Sequence, residues 1–487
     1  MDFLDPKKKK AHRQRLAIGY ILVAIAIATA SLILLFQSYG YDLDRKTGTV
    51  IQNGLIFVSA DPEAATIYLN GQDKGQTNTR FIVPAGAYNL ELKRDKYRTW
   101  KRSFTLDGGS IERLVYPLLF PEKLVTADHQ LYASVPAFST SSPDRRWLVV
   151  QQPGFINQFD LFDMNNPKQT PKAITAPLAL FNNAQGNHSL NLVEWSTDNR
   201  HLLLRHDFTG GFEFIMIDRE TPDSSLNINK QMGSNPPSLA LRDKRYDQWY
   251  VYDSVSRALS TADLRNPQPQ PLLANVLAFK PFGSDKLLYV SSELDTTGKV
   301  QVKFKDGDKT ISLRSLPQGT TYLINLAQFD GKWYMAVGAA SENRVIIYKD
   351  PESSVGSDKT IIPASVLKVD QPAFVSFSDS AQFIAVQSAS RFGVYDVEAN
   401  RRYYYDAKLP IEPSQQVKWM DGHRFATVVN GKTYAFDFDG LNLQELSPAA
   451  PGSQTFFDRD YNGLYNIAPS VTVPSRFAVT QTELIAK

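Results

Sequence analysis

From about Leu124 to the C-terminus the chain keeps returning to one pattern. An aromatic or apolar residue precedes a polar turn, usually with Asp, and an apolar run climbs out of it. The units start at Phe138 (FSTSSPDRRWLVV), Trp195 (WSTDNRHLLL), Leu241 (LRDKRYDQWYVY) and Phe279 (FKPFGSDKLLYV). They continue at Phe329 (FDGKWYMAV), Phe377 (FSDSAQFIAV), Trp419 (WMDGHRFATV) and Phe457 (FDRDYNGLYNI). In most units a second run ends in Asp, at Asp163, Asp218, Asp350, Asp396 and Asp437. Phe138 and Phe457 lie 319 residues apart, so the seven intervals average about 46 residues. Several strands per unit at that period predict a β-propeller, in which no unit can bury both faces alone and the ring closes as one core.

Eight starts predict eight blades. Seven is the alternative, because the Leu241 start is the poorest and little chain follows Phe457. A two-sheet sandwich or tandem β-domains would not need a period kept over such a length. A helical reading fails, since no segment after Phe36 holds a 3.6-residue period without turn breakers.

The other end of the chain carries a different signal. Lys7, Lys8, Lys9, Lys10, Arg13 and Arg15 face only Asp2 and Asp5 within residues 1–15. Residues 16–36 follow without a charge, and 21 residues at about 1.5 Å each span about 30 Å, a bilayer core. A basic flank predicts a cytoplasmic N-terminus, with the rest of the chain outside the plasma membrane. The alternative is a signal peptide cleaved near Ala30, but the apolar run continues to Phe36 where such a peptide would turn polar. The formal charge is +3, and the first fifteen residues supply +4 of it, which leaves the remainder at −1. A near-neutral remainder predicts no nucleic-acid partner. With no cysteine there is neither a disulfide nor a thiolate to do chemistry.

Residues 37–53 read as a polar spacer. Residues 54–106 then give short alternating runs broken by turns: Asp61-Pro62, Asn70-Gly71 and Pro84-Ala85-Gly86. Asn70-Gly71 is a strong two-residue hairpin signal, because both central positions of a type I′ turn need φ > 0. This stretch resembles the PEGA domain, a small extracytoplasmic β-sandwich. The family's Pro-Glu-Gly-Ala run is Pro62-Glu63-Ala64-Ala65 here, with Ala64 at the glycine position. Its later Gly and Thr match Gly75 and Thr77, while Asn78 stands where Pro often follows. Its Pro-x-Gly-x-Tyr matches Pro84, Gly86 and Tyr88, and its closing Gly-Tyr is Lys96-Tyr97. The resemblance implies an envelope-facing accessory module rather than a reaction. We take 54–120 as this module and 124–487 as the propeller. The Ser142-Pro143-Asp144 turn is similar to that of Tol-B-like irregular propellers, which implies fold only.

A search for chemistry predicts no catalytic, cofactor-binding or metal residue. There is no Gly-x-Ser-x-Gly elbow. Asn430-Gly431-Lys432-Thr433 resembles the end of a P-loop, but Ala426 replaces its first Gly and the stretch joins two strand-like runs, so a hairpin turn is expected. His201 and His206 are the only close histidines, and five residues apart on a strand they face opposite ways. His12, His129, His188 and His423 stand alone. Asp306-Gly307-Asp308 and Asp437-Phe438-Asp439-Gly440 lack a completed calcium loop and are expected to be turns. In the run 401–406, Tyr403 and Tyr405 share one face and Tyr404 the other, and packing between blades outweighs ligand stacking. The expectation is therefore an all-β, membrane-anchored extracytoplasmic protein that binds or scaffolds without catalysis, its partner an envelope protein or polysaccharide. The rivals are an enzyme acting on envelope glycan or peptide in the propeller funnel, and a self-associating structural protein.

Overall fold

A computed structural model describes residues 6–38, 40–43, 50–183, 186–351 and 361–486. Asp2, Asp5 and spacer residues 44–49 lie outside the described residues. The chain divides into two compact units between Glu122 and Lys123.

The first unit opens with one helix, Pro6–Ser38, which extends past the uncharged run at both ends. Its Lys9–Ser38 portion is long and apolar enough to cross a membrane, and the protein buries none of it. Two four-stranded sheets follow. One is built from Tyr41–Leu43, Val50–Val58 and Thr79–Pro84, with Ile111–Leu114 running parallel to Val50–Val58. Its first strand, and the start of the second, fall within the stretch read as a spacer. The other sheet orders Gln72–Gln76, Thr66–Leu69, Gly86–Lys93 and Trp100–Leu106. Alternation buries Ile56 and Val58 from one sheet and Ile67, Leu69, Leu90 and Leu92 from the other. The sheets approach so closely at Gly54 that a Cβ there would lie 2.6 Å from the Leu106 side chain.

The turn chemistry of this module follows the sequence. Asn70 (φ 49°) and Gly71 (φ 78°) form the tight hairpin between Leu69 and Gln72. The Tyr88 hydroxyl donates to the Pro84 carbonyl at 2.6 Å, which ties together the two strands that meet at Gly86. Ala64 and Lys96, the two departures from family glycines, both keep left-handed backbone, at φ 62° and 65°.

The second unit holds eight four-stranded antiparallel sheets among the described residues, taken in chain order. Their first strands are Ser139–Ser141, His188–Trp195, Ser238–Leu241, Val276–Phe282, Tyr322–Phe329, Phe374–Phe377, Lys418–Trp419 and Thr455–Phe457. One sequence unit falls on each sheet, and most start residues end its first strand. Phe138 is out of phase, just before the first strand of its sheet. The eighth sheet has only three strands from the C-terminal end, and Val125–Tyr132 supplies the fourth by pairing with Phe477–Glu483.

Each sheet packs on the next, and alternate residues of the second strands serve opposite neighbours. Val149 faces the second sheet with Leu202 and Ile215, whereas Leu148 and Val150 face the eighth with Tyr465 and Val479. Leu203 and Trp249 join sheets two and three, Tyr250 and Tyr289 sheets three and four, and Leu288 and Met335 sheets four and five. Tyr334 and Ile384 join sheets five and six, and Phe392 lies 5.3 Å from Phe425 across sheets six and seven. Asn466 of sheet eight donates to Thr433 Oγ1 and Ser447 Oγ of sheet seven at 2.9 and 2.6 Å. Every neighbouring pair is joined, so the ring is closed. Being buried on both faces is why these strands read as unbroken apolar runs rather than alternating ones.

The recurring Asp at the end of the third strand has a structural cause. Asp163, Asp218, Asp263 and Asp396 each accept from a backbone N–H two residues on, which shapes the turn into the fourth strand. Several also hold a cation or amide from the start of the second strand or the turn before it: Arg146 on Asp163, Arg200 on Asp218, Lys286 on Asp306 and Gln382 on Asp396. Asp263 and Asp306 belong to this series too, beyond those read from the sequence.

Candidate functional site

The groups singled out in the sequence are built into the fold. Asn430 and Gly431 (φ 50° and 75°) make a hairpin turn between the strands Arg424–Val429 and Lys432–Asp437. Asp306-Gly307-Asp308 is the turn between the third and fourth strands of sheet four. Asp437 accepts from the Asn442 amide, and Asp439 from the Leu441 N–H. Tyr403 packs edge-on to Phe438, and Tyr405 stacks on Phe392 at 5.3 Å. The Tyr404 hydroxyl reaches across to the Val366 carbonyl of sheet five. All three tyrosines thus serve contacts between or within sheets.

The two close histidines point to separate networks. His201 bonds Asp198 at 2.6 Å and stacks on Tyr246 at 3.9 Å. His206 is fully buried and bonds Glu213, its cross-strand neighbour, at 2.9 Å. Burial alone would raise the Glu213 carboxyl, but bonds from His206, the Asn182 backbone and Asn227 outweigh it and hold the group below its ordinary range. Among the described residues no group of three or more His, Asp or Glu is arranged to hold a metal ion.

One end of the ring gathers the turns between first and second strands. Asn199 accepts from the Asp144 N–H, the Lys244 carbonyl from the Thr197 N–H, and the Ser284 carbonyl from Arg242. These contacts stitch sheets one to four. Arg145, from the turn of sheet one, reaches Tyr461 of sheet eight and Asp379 of sheet six. Burial raises the Asp379 carboxyl, against the pull of Arg145.

Between sheets seven, eight and one lies a cavity of about 600 Å³, lined by their first strands, by the second strand of sheet seven and by Leu192 of sheet two. A second space of about 500 Å³ shares Leu192, Lys418, Gly452, Ser453 and Gln454 with it. Amides and hydroxyls dominate the polar lining: Gln415, Gln416, Gln454, Thr140, Ser141 and Thr427. Neither space is lined by an Asp, Glu or His among the described residues, and both cations at the walls, Arg145 and Lys418, come from turns or strand ends. Arg145 is engaged as above. Lys418 Nζ donates to Gln454 Oε1 at 2.7 Å. The Lys418 side chain is exposed to solvent within the cavity, and partial desolvation pushes its ammonium below the ordinary lysine range.

Trp419 and Phe457 stand out in the sequence as unit starts, but nothing there marks them or the other lining residues as a site. Lys418 and Gln454 sit in different units, and Thr140 is more than 270 residues from Lys418. Only ring closure brings them together.

Residues 53–118 match the PEGA domain family, so the chain carries a PEGA domain. Among curated proteins none matches the chain. Solved structures with a similar fold include the Dos1 propeller, at 12% identity and TM-score 0.43, covering 74% of this chain and 94% of that one. Hsv2 of Kluyveromyces lactis is similar at 11% identity and TM-score 0.39, over 64% of this chain and 98% of its own. The dihydro-haem d1 dehydrogenase NirN is similar at 15% identity and TM-score 0.39 over 64% of this chain, which spans 66% of that structure's length. By its own ring of four-stranded sheets, its apolar N-terminal helix and its family match, the chain is an all-β protein with a PEGA domain and a β-propeller.

Proposed function

We propose that this protein is a single-pass, membrane-anchored binding protein, its PEGA domain and propeller outside the cytoplasm and its partner a component of the cell envelope. The helix Pro6–Ser38, with basic residues only at its start, supports the anchor and its orientation. The observation that carries binding rather than catalysis is the lining of the central cavity. Among the described residues it offers amides, hydroxyls and two cations, without the paired carboxylates that glycan cleavage uses.

Two measurements test this. Protease added outside intact spheroplasts should digest the propeller and leave the basic N-terminus protected; the reverse pattern would invert the orientation. The full chain in detergent, immobilised through its N-terminus, should retain an envelope polysaccharide or protein from solubilised envelope without altering it. Turnover of that material would make the protein an enzyme instead.

A further inference from the structure

We propose that the central cavity binds an acidic saccharide unit, with its anionic group at Lys418 and its hydroxyls on the surrounding amides and hydroxyls. This rests on the binding reading above and names its ligand class and site.

Three observations converge. The first is a charge imbalance: the walls carry Lys418 and Arg145 and no carboxylate among the described residues. Arg145 is committed to Asp379 and Tyr461. Lys418 has a neutral amide, Gln454, as its partner. A cation at the cavity wall whose partner is a neutral amide gains a charge-assisted hydrogen bond when an anion enters.

The second is the kind of polar group around it. Gln416 and Gln454 bring amides to the space, and Gln415 and Ser453 bring acceptor oxygens, their own donors being held by Thr427, Val428 and Ala450; such a mixture suits a ligand rich in hydroxyls. A phosphate or sulfate alone would need a cluster of donors and cations. The third is size. The space falls within the range of small-molecule sites and is much too small for a folded partner. Lys418 lines both connected spaces, so a ligand entering either one meets it.

The anionic group could be a carboxylate or a phosphate, and the test separates them. Glucuronate, glucose 6-phosphate, glucose and the dipeptide Gly-Glu are titrated at equal ionic strength into the full chain in detergent, by calorimetry. The expected result is binding of one of the two acidic sugars at least tenfold tighter than glucose and Gly-Glu. Lys418→Met should abolish that preference while leaving the thermal midpoint nearly unchanged, because the Lys418 side chain is exposed. Lys418→Arg should retain the preference in part. Equal affinity for glucose and the acidic sugars, or an acidic-sugar preference that survives Lys418→Met, would overturn the proposal. Tighter binding of Gly-Glu would overturn the saccharide class.

The immobilised-chain experiment separates this from the broader reading. If Lys418→Met still retains envelope material as wild type does, binding stands and the cavity assignment falls. If wild type retains nothing and binds no acidic sugar, both fall.

Discussion

The indole nitrogen of Trp195 donates to Thr140 Oγ1 at 2.9 Å, one sheet back around the ring. Trp419 repeats the device, donating at 3.0 Å to Ser376 Oγ of the sheet before its own. Both tryptophans end a first strand, and both bond to the first strand of the preceding sheet. The start residue of these units therefore acts as a wedge with a polar latch. Thr140 also lines the central cavity, so the latch at Trp195 fixes part of its wall.

Trp195→Phe should keep the wedge and lose the latch, leaving a buried hydroxyl short of a partner at a cost of about 1–2 kcal/mol. Trp195→Ala should cost about 3–5 kcal/mol through lost packing. Urea unfolding of the two variants checks the order. Equal losses would mean that the hydrogen bond contributes nothing.

How far the sequence could be read follows from where each signal is local. The Asn70-Gly71 and Asn430-Gly431 turns, the apolar helix and the unit period all sit within contiguous residues, and each was legible. Phe138 shows the limit: it is the aromatic before the turn, yet the strand position that Trp195 fills belongs to Ser141 in its unit. The eighth unit looked short because its fourth strand, Val125–Tyr132, comes from the other end of the domain. The cavity could not be read at all, since its lining is set by ring closure rather than by spacing.

Ala64 and Lys96 adopt left-handed backbone that L-residues enter at a cost of roughly 1–2 kcal/mol, part of which glycine returns as unfolded-chain entropy. Ala64→Gly and Lys96→Gly should each stabilise the PEGA domain by about 0.5–1 kcal/mol. Native-state hydrogen exchange at Leu90 and Leu92, buried in its core, should slow by about two- to fivefold. Faster exchange would mean that the native side chains make contacts worth more than the backbone strain.

Two groups of the neighbouring sheets seven and eight, buried Asp458 and half-buried His423, should give opposite pH dependence. Burial pushes the Asp458 carboxyl up to about 6, against bonds from the Asn462 and Gly463 N–H groups. A folded-state value above the unfolded one means stability is full at low pH and declines as pH rises toward 6. Burial pushes His423 down to about 4. Its contribution is full above about 6.5 and is lost as pH falls toward 4. Between pH 6.5 and 4 the two partly cancel. In Asp458→Asn the histidine's loss stands alone, so the thermal midpoint should fall more steeply on acidification than in wild type, by an amount on the order of 1 kcal/mol at pH 4. Parallel profiles would show that Asp458 titrates at an ordinary value.

The closing strand offers the sharpest test of the ring. Val125–Tyr132 pairs along the whole of Phe477–Glu483, from Phe477 opposite Tyr132 to Glu483 opposite Val125. Asp128 secures it further by accepting from the Val471 and Thr472 N–H groups, both at 3.0 Å, and from the Ser470 hydroxyl at 2.7 Å. Without this strand the eighth sheet ends on an unpaired edge, and Tyr132 leaves the cluster that joins sheets eight and one. A chain beginning at residue 134 should therefore aggregate or lose its cooperative transition, whereas one beginning at residue 123 should keep the midpoint of the intact propeller. Asp128→Ala, which keeps the strand but removes its anchor, should lower the midpoint by about 1–3 kcal/mol equivalent, because the released N–H groups lose their acceptor. If the chain lacking 123–133 unfolds at the same midpoint as the longer one, the strand does not close the ring.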